Sequence, residues 1–139
     1  MALNDLLLRV ADSFEQHHVP FMLIGGMAVS TWIEPRFTRD MDVVVMARKS
    51  AASRLKQALM AAGARVTALE MRLLFERPFV RLKTTGGPYL DLHRDCAPHD
   101  RAAMAHARKM TWEGRTISVA APEDLVLYKL QAWRLHDQD

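Results

Sequence analysis

The feature that most constrains how this chain can fold is the stretch 21–46, FMLIGGMAVSTWIEPRFTRDMDVVVM. Its opening apolar run, residues 21–24, could by itself be a buried strand or a helix fragment, but Gly25 and Gly26 end it abruptly, and a strand is the better reading. Paired glycines after a strand let the backbone approach a ligand with no Cβ in the way, and the amides that open the next helix suit an anion such as phosphate. At the other end of the stretch, Asp40 and Asp42 lead into three valines, a β-branched run that favours a second strand. Residues i and i+2 of a strand point the same way, so the two carboxylates share one face while Met41 and Val43 point into the opposite layer. Two anions this close repel unless a cation lies between them. Carboxylate oxygens are hard ligands suited to Mg²⁺, which keeps several waters and takes one or two protein carboxylates plus substrate phosphates. The stretch reads as a metal site that a nucleotide completes.

Gly25, Gly26, Ala28, Trp32, Arg36, Thr38, Asp40 and Asp42 together form the pattern GG-x-A-x-x-x-W-x-x-x-R-x-T-x-D-x-D. Taken singly, a glycine pair is commonly only a turn and two aspartates at a strand end are commonly solvated caps. The joint spacing is far more specific. With it the chain resembles the DNA polymerase beta-type nucleotidyltransferase superfamily, and most of all its small AbiEii-like toxin and antibiotic-modifying branches. The closing segment PEDLVLYKLQAWRLHD is similar to the final helix of AbiEii-like proteins, K-L-x-A-x-R-x-x-D, through Lys129, Leu130, Ala132, Arg134 and Asp137, with Trp133 where a small residue is more usual.

The resemblance implies an α/β (α+β) fold, a mixed β-sheet with helices mainly on one face. It implies a reaction in which a nucleoside monophosphate passes from an NTP to an acceptor hydroxyl and pyrophosphate leaves. Asp40, Asp42 and a third carboxylate, Asp91, would hold two Mg²⁺ ions, or Mn²⁺ in their place, at the ~3.5–4 Å separation of two-metal sites. Gly25, Gly26 and Arg36 would bind the β and γ phosphates, with Lys129 associated with the triphosphate and Asp137 on the same helix face. Thr38 would fix the loop that presents Asp40. The acceptor stays open between an RNA 3′ end, an antibiotic hydroxyl and a protein side chain, because all three use the same carboxylates. The alternative reading is a non-catalytic nucleotide-binding or partner-binding module of a toxin–antitoxin-like system, with an antitoxin-like protein as partner.

Along the rest of the chain, Leu3, Leu6, Leu7, Val10 and Phe14 recur at helical spacing and predict an amphipathic helix over residues 3–17. Adjacent His17 and His18 point about 100° apart on a helix and make a poor chelating pair. Ser50 is placed to cap a helix carrying Leu55, Leu59 and Met60, which Gly63 would end. Residues 64–77 fit neither period and suggest one or two short strands. F-V-R-L-K-T at 79–84 and Y-L-D-L-H at 89–93, separated by Gly86, Gly87 and Pro88, predict a hairpin. Its second strand puts Asp91 on the face opposite Leu90 and Leu92. On pattern alone Asp91 is an ordinary exposed residue; the resemblance makes it the third carboxylate. Residues 100–109 look helical, with His99 and His106 as core or surface histidines. Strands at 110–112 and 116–119 would meet at a tight Glu113–Gly114 turn. Pro122, Glu123 and Asp124 open a last helix, with Leu125, Leu127, Leu130 and Trp133 on its buried side.

At 139 residues and 50% hydrophobic content the chain fits a single domain, residues 1–139, either truncated at the C-terminus or a minimal family member. No apolar run approaches the ~20 residues that cross a membrane, and no basic-then-apolar segment opens the chain, so we expect a cytoplasmic protein with no membrane partner. The single cysteine, Cys96, offers neither an internal disulfide nor a thiolate metal site. A formal charge of +3 favours nucleotides or nucleic acid without choosing between them, and no run of aromatic and basic residues marks a single-strand path.

Overall fold

In the computed structural model the described residues are 1–32, 39–95 and 98–137, with side chains as far as residue 131 and that of Pro98 excepted. The elements run α1 (Leu3–Gln16), β1 (Phe21–Ile24), α2 (Gly25–Trp32), β2 (Asp40–Val45), a 3₁₀ turn (Lys49–Ala51), α3 (Ala52–Ala61), β3 (Ala64–Arg65), α4 (Ala68–Leu74), β4 (Phe79–Thr84), β5 (Tyr89–Arg94), α5 (Pro98–His106), β6 (Arg108–Trp112), β7 (Arg115–Val119) and α6 (Pro122–Asp137). The strands form one mixed sheet in the order β3-β4-β5-β2-β1-β7-β6. β2 with β5 and β1 with β7 are parallel; the other pairs are antiparallel. The fold class is therefore the α/β mixed sheet expected from the sequence.

The centre of the sheet is dry on both faces, which accounts for the unbroken apolar reading of residues 43–45. Leu23, Met41, Val43, Leu90 and Leu92 line one face and Met22 and Val44 the other, and all are buried. α1 covers the first of these faces with Leu6, Leu7, Val10 and Phe14, and Phe14 meets Phe21 edge-on with ring centres 5.4 Å apart. Ser13 donates to the Ala58 carbonyl and ties α1 to α3. Gly63, at φ +97°, ends α3 in the left-handed conformation that a residue with a side chain rarely adopts.

Three expectations need correction. Ser50 does not cap α3: it lies inside the 3₁₀ turn, and the capping position is Ala51, with no side-chain hydrogen bond. Half of residues 64–77 are helical, Ala68–Leu74, and one short strand of those expected is present, Ala64–Arg65. The reason is local: Thr67 Oγ1 accepts from the Glu70 amide at 3.1 Å while Glu70 Oε1 accepts from the Thr67 amide at 3.0 Å, the reciprocal capping box that T-x-x-E encodes. On α6, Leu125 is buried but Leu127 and Leu130 are about half exposed. The inward face of α6 is set by Asp124, Leu125 and Tyr128, in line with buried Ala121 just before the helix, which turns Leu127 and Leu130 away. The side chain of Trp133 lies outside the described residues. Smaller shifts affect α5, which stops at His106, and β6, which begins at Arg108; Glu113 and Gly114, at φ 47° and 80°, make the expected two-residue turn.

Because α4 has only seven residues, its cap is a large share of what holds it helical. Thr67→Ala is expected to lower stability in urea unfolding by about 1 kcal/mol. A loss below about 0.3 kcal/mol would mean that packing alone holds α4, since a lost side-chain cap costs more than that.

Candidate active site

The site is built by register. Parallel pairing of β2 with β5 sets Asp42 directly beside Asp91 and Asp40 beside Tyr89, and antiparallel pairing of β4 with β5 sets Arg81 on the other side of Asp91. Side chains alternate along each strand, so Asp40, Asp42, Arg81, Asp91 and His93 all emerge on the face that backs the Met41, Val43, Leu90 and Leu92 layer. Asp91 is buried, while the side chains of Asp40 and Asp42 keep 31% and 25% of their exposure. The three acids thus differ in solvation, with the one on the inner strand of the β4–β5 hairpin the most enclosed.

Three carboxylates on one face repel, and the structure offsets this with two side chains that sequence reading had not singled out. The Arg81 guanidinium forks onto Asp91, with Nε 2.8 Å from Oδ1 and Nη2 3.0 Å from Oδ2, and the same Nη2 donates to Asp40 Oδ2 at 3.0 Å. These hydrogen bonds to Asp91, then the charges of Asp91, Asp40 and Asp42, raise the arginine's pKa above its already high ordinary value. His93 Nε2 lies 3.2 Å from Asp42 Oδ1, and its ring stacks on Phe79 with centres 5.2 Å apart. Both residues could have been found from the hairpin itself, since fixing its register places Arg81 opposite Asp91 and His93 two residues beyond it on the same face.

Gly25 brings the next element to the acids. It stands at φ +74°, and a Cβ there would fall 2.4 Å from Asp42 Oδ2, so conformation and space both demand glycine. α2 begins at this residue. The first-turn amides of a helix have no partner within it, and α2 carries no acidic side chain in that turn, an arrangement suited to an anion close to Asp42. Gly26 follows, its carbonyl accepting from Ser30 Oγ at 3.0 Å. Trp32 has a structural duty: its Nε1 donates to the Ala120 carbonyl at 3.0 Å and fastens the end of α2 beside β7.

Of the remaining residues, Lys129 is exposed on α6, which packs against α2, at the flank of the helix's inward face. Arg36 and Thr38 lie outside the described residues, as does the side chain of Asp137. Among the described residues no three His, Cys, Asp or Glu side chains converge closely enough to share a metal ion. The donor set is nevertheless hard oxygen on one face, and a cation, the guanidinium of Arg81, already sits between two of its members.

The contact between Gly25 and Asp42 can be separated from simple backbone strain. Gly86 also has positive φ, +61°, with nothing within 4 Å of an added Cβ. Gly86→Ala should cost only the left-handed penalty, about 1–2 kcal/mol. Gly25→Ala should lose more in the same urea titration, because Asp42 must also move; equal losses would show that the Asp42 carboxylate yields freely.

Comparison with known proteins agrees with this architecture. The lincosamide antibiotic adenylyltransferase LnuA, solved with lincomycin bound, superposes with a TM-score of 0.61 at 19% identity, over 88% of this chain and 83% of that one. ANT(2″)-Ia in complex with adenylyl-2″-tobramycin superposes with a TM-score of 0.67 at 15% identity, over 93% and 75%. An antigenic nucleotidyltransferase-like protein from Paracoccidioides brasiliensis gives 0.59 at 18% identity, over 93% and 65%. At such identities the likeness is one of fold. Comparison of the sequence with curated proteins gives no match. The model of the family described as nucleotidyl transferase AbiEii toxin, type IV TA system, matches residues 6–139, and the chain belongs to that family.

Proposed function

We propose that this nucleotidyltransferase-family protein is a metal-dependent enzyme that moves a nucleoside monophosphate from an NTP to an acceptor hydroxyl. The observation that carries the reading is the register of β2 and β5, which puts Asp42 beside Asp91 and Asp40 on the same face, with the N-terminus of α2 against Asp42. Held by Asp40, Asp42 and Asp91, Mg²⁺ would supply charge neutralisation at the phosphates and a lowered pKa for the acceptor hydroxyl. The amides of Gly25 and Gly26 would hold phosphate oxygens at the helix N-terminus, and Arg36 and Lys129 would add cationic contacts. Asp91 would accept the hydroxyl proton as the acceptor oxygen bonds to the α-phosphorus. The bond from that phosphorus to the β-bridging oxygen breaks, and pyrophosphate leaves with the electron pair. Tobramycin and lincomycin belong to the neighbouring structures. For this chain an RNA 3′ end, a small-molecule hydroxyl and a protein side chain all suit the same three carboxylates.

The reading is tested by incubating the protein with each labelled NTP, Mg²⁺ and a cell extract, and following which fraction takes up label. Label should enter one acceptor class with the native protein and none with Asp42→Asn. Full transfer by a folded Asp42→Asn protein removes the mechanism.

Lys129 separates a phosphate contact from a solvated charge. A charge-assisted hydrogen bond is worth about 1.5–3 kcal/mol, whereas an exposed lysine on a helix changes stability by within about 0.5 kcal/mol. Lys129→Ala is therefore expected to weaken NTP binding at least tenfold by calorimetry in saturating Mg²⁺, with little change in Tm. Unchanged affinity would return Lys129 to the solvent and leave the phosphates to other cations.

A further inference from the structure

We infer that Arg81 occupies the cation position of the carboxylate group and must be displaced before a divalent ion can bind, so that the metal enters efficiently only together with a nucleotide. The inference rests on the functional reading above. Both oxygens of buried Asp91 are engaged by Arg81, and the same guanidinium reaches Asp40. A divalent cation and a guanidinium cannot both face these oxygens without strong mutual repulsion. One must leave, and Arg81 is able to. Its side chain is 49% exposed and lies over the ring of Tyr89, with its carbon 4.8 Å from the ring centre, while its strand is anchored independently by buried Val80 and Leu82.

What the displaced arginine meets decides the order of events. A guanidinium stripped of two carboxylates loses its bidentate partner, and a free metal ion offers nothing in exchange. A triphosphate does, because its oxygens match the same planar fork. Free metal is therefore held weakly and metal with NTP strongly, without any change in the protein ligands themselves. Arg81 acts here as a positioning residue: it keeps the acids together when no cation is bound and couples metal entry to the nucleotide.

The test compares binding of Mn²⁺ alone, by electron paramagnetic resonance and by its effect on Tm, in the native protein, Arg81→Gln and Lys83→Gln. Lys83 emerges from the same face of β4 and is exposed, so its substitution removes the same charge without touching the acids. Arg81→Gln should bind free Mn²⁺ at least tenfold more tightly than the native protein and gain more Tm from it, while Lys83→Gln stays within about twofold, where tenfold corresponds to about 1.4 kcal/mol. If Arg81→Gln does not fold without metal, recovery of its fold on titration with Mn²⁺ reads the same affinity. Equal affinity of Arg81→Gln and the native protein overturns the inference, as does an equal gain in Lys83→Gln. A third arm adds a non-hydrolysable NTP. If the native protein binds Mn²⁺ with the NTP but Arg81→Gln gains nothing for free Mn²⁺, only the role of Arg81 falls. If neither protein binds Mn²⁺ with or without the NTP, the nucleotidyl-transfer reading falls with it.

Discussion

Asp40, Asp42 and Asp91 stand on one face of a sheet whose other face is packed with leucine, valine and methionine, and the Arg81 fork is what makes that concentration of negative charge tolerable. Buried Asp91 depends on it most, because a carboxylate shielded from water needs a partner that is both charged and hydrogen-bonded. The pairing is in turn a product of register. A slip of one residue between β2 and β5 would turn Asp42 or Asp91 into the apolar layer and bring a leucine or valine out, so the burial of Met41, Val43, Leu90 and Leu92 fixes where the acids point. The hydrophobic core and the polar site are two faces of one constraint.

The same logic explains why residues so distant in sequence meet. Parallel strands cannot be joined by a tight turn, and the chain between β2 and β5 travels through the 3₁₀ turn, α3, β3, α4 and β4 before returning. α3 is tied to α1 on the way, and α4 is anchored at its end, where Arg94 donates to the carbonyls of Leu74 and Phe75. β4 then delivers Arg81 as the hairpin closes, so the counter-cation and the third carboxylate arrive as one unit. On the other side of β2, the strand–glycine–helix turn at Gly25 places the start of α2 against Asp42. A helix N-terminus and a carboxylate group thus abut across a single antiparallel pair of strands.

Features encoded within a few residues were legible in the sequence. The strand that ends at Gly25, the acid pair at i and i+2, the β4–β5 hairpin and the Glu113–Gly114 turn each follow from local periodicity and turn chemistry. Two kinds of information were not. One was a short signal overshadowed by composition: between residues 64 and 77 scattered apolar residues obscured T-x-x-E, although that motif alone starts a helix. The other was the orientation of elements that depends on what they pack against. Leu127 and Leu130 look like core, but α6 presents Asp124 and Tyr128 instead, with Tyr128 donating to Asp100 at 2.7 Å and Asp124 lying 3.6 Å from His106. Arg81 belongs to this second kind, since its meaning appears only once the hairpin register sets it across from Asp91.

Charge balance on the active face bears on how a nucleotide can approach it. The protein is positive overall, at +3, yet this face gathers three carboxylates, of which Asp91 and Asp40 pair with Arg81 and Asp42 lies against His93. A triphosphate arriving alone would be repelled by the acids even as the α2 amides attract it, and the dipole of an eight-residue helix is worth only about 0.3–1 kcal/mol at an exposed end. Coulomb repulsion between unit charges about 4 Å apart near a protein surface is several times larger. The helix end would therefore orient a phosphate without overcoming the acids. Under the function and the Arg81 role proposed above, the favourable approach would be one in which a divalent ion travels with the nucleotide and neutralises the carboxylates, while Arg81, released from them, would turn its charge toward the phosphates.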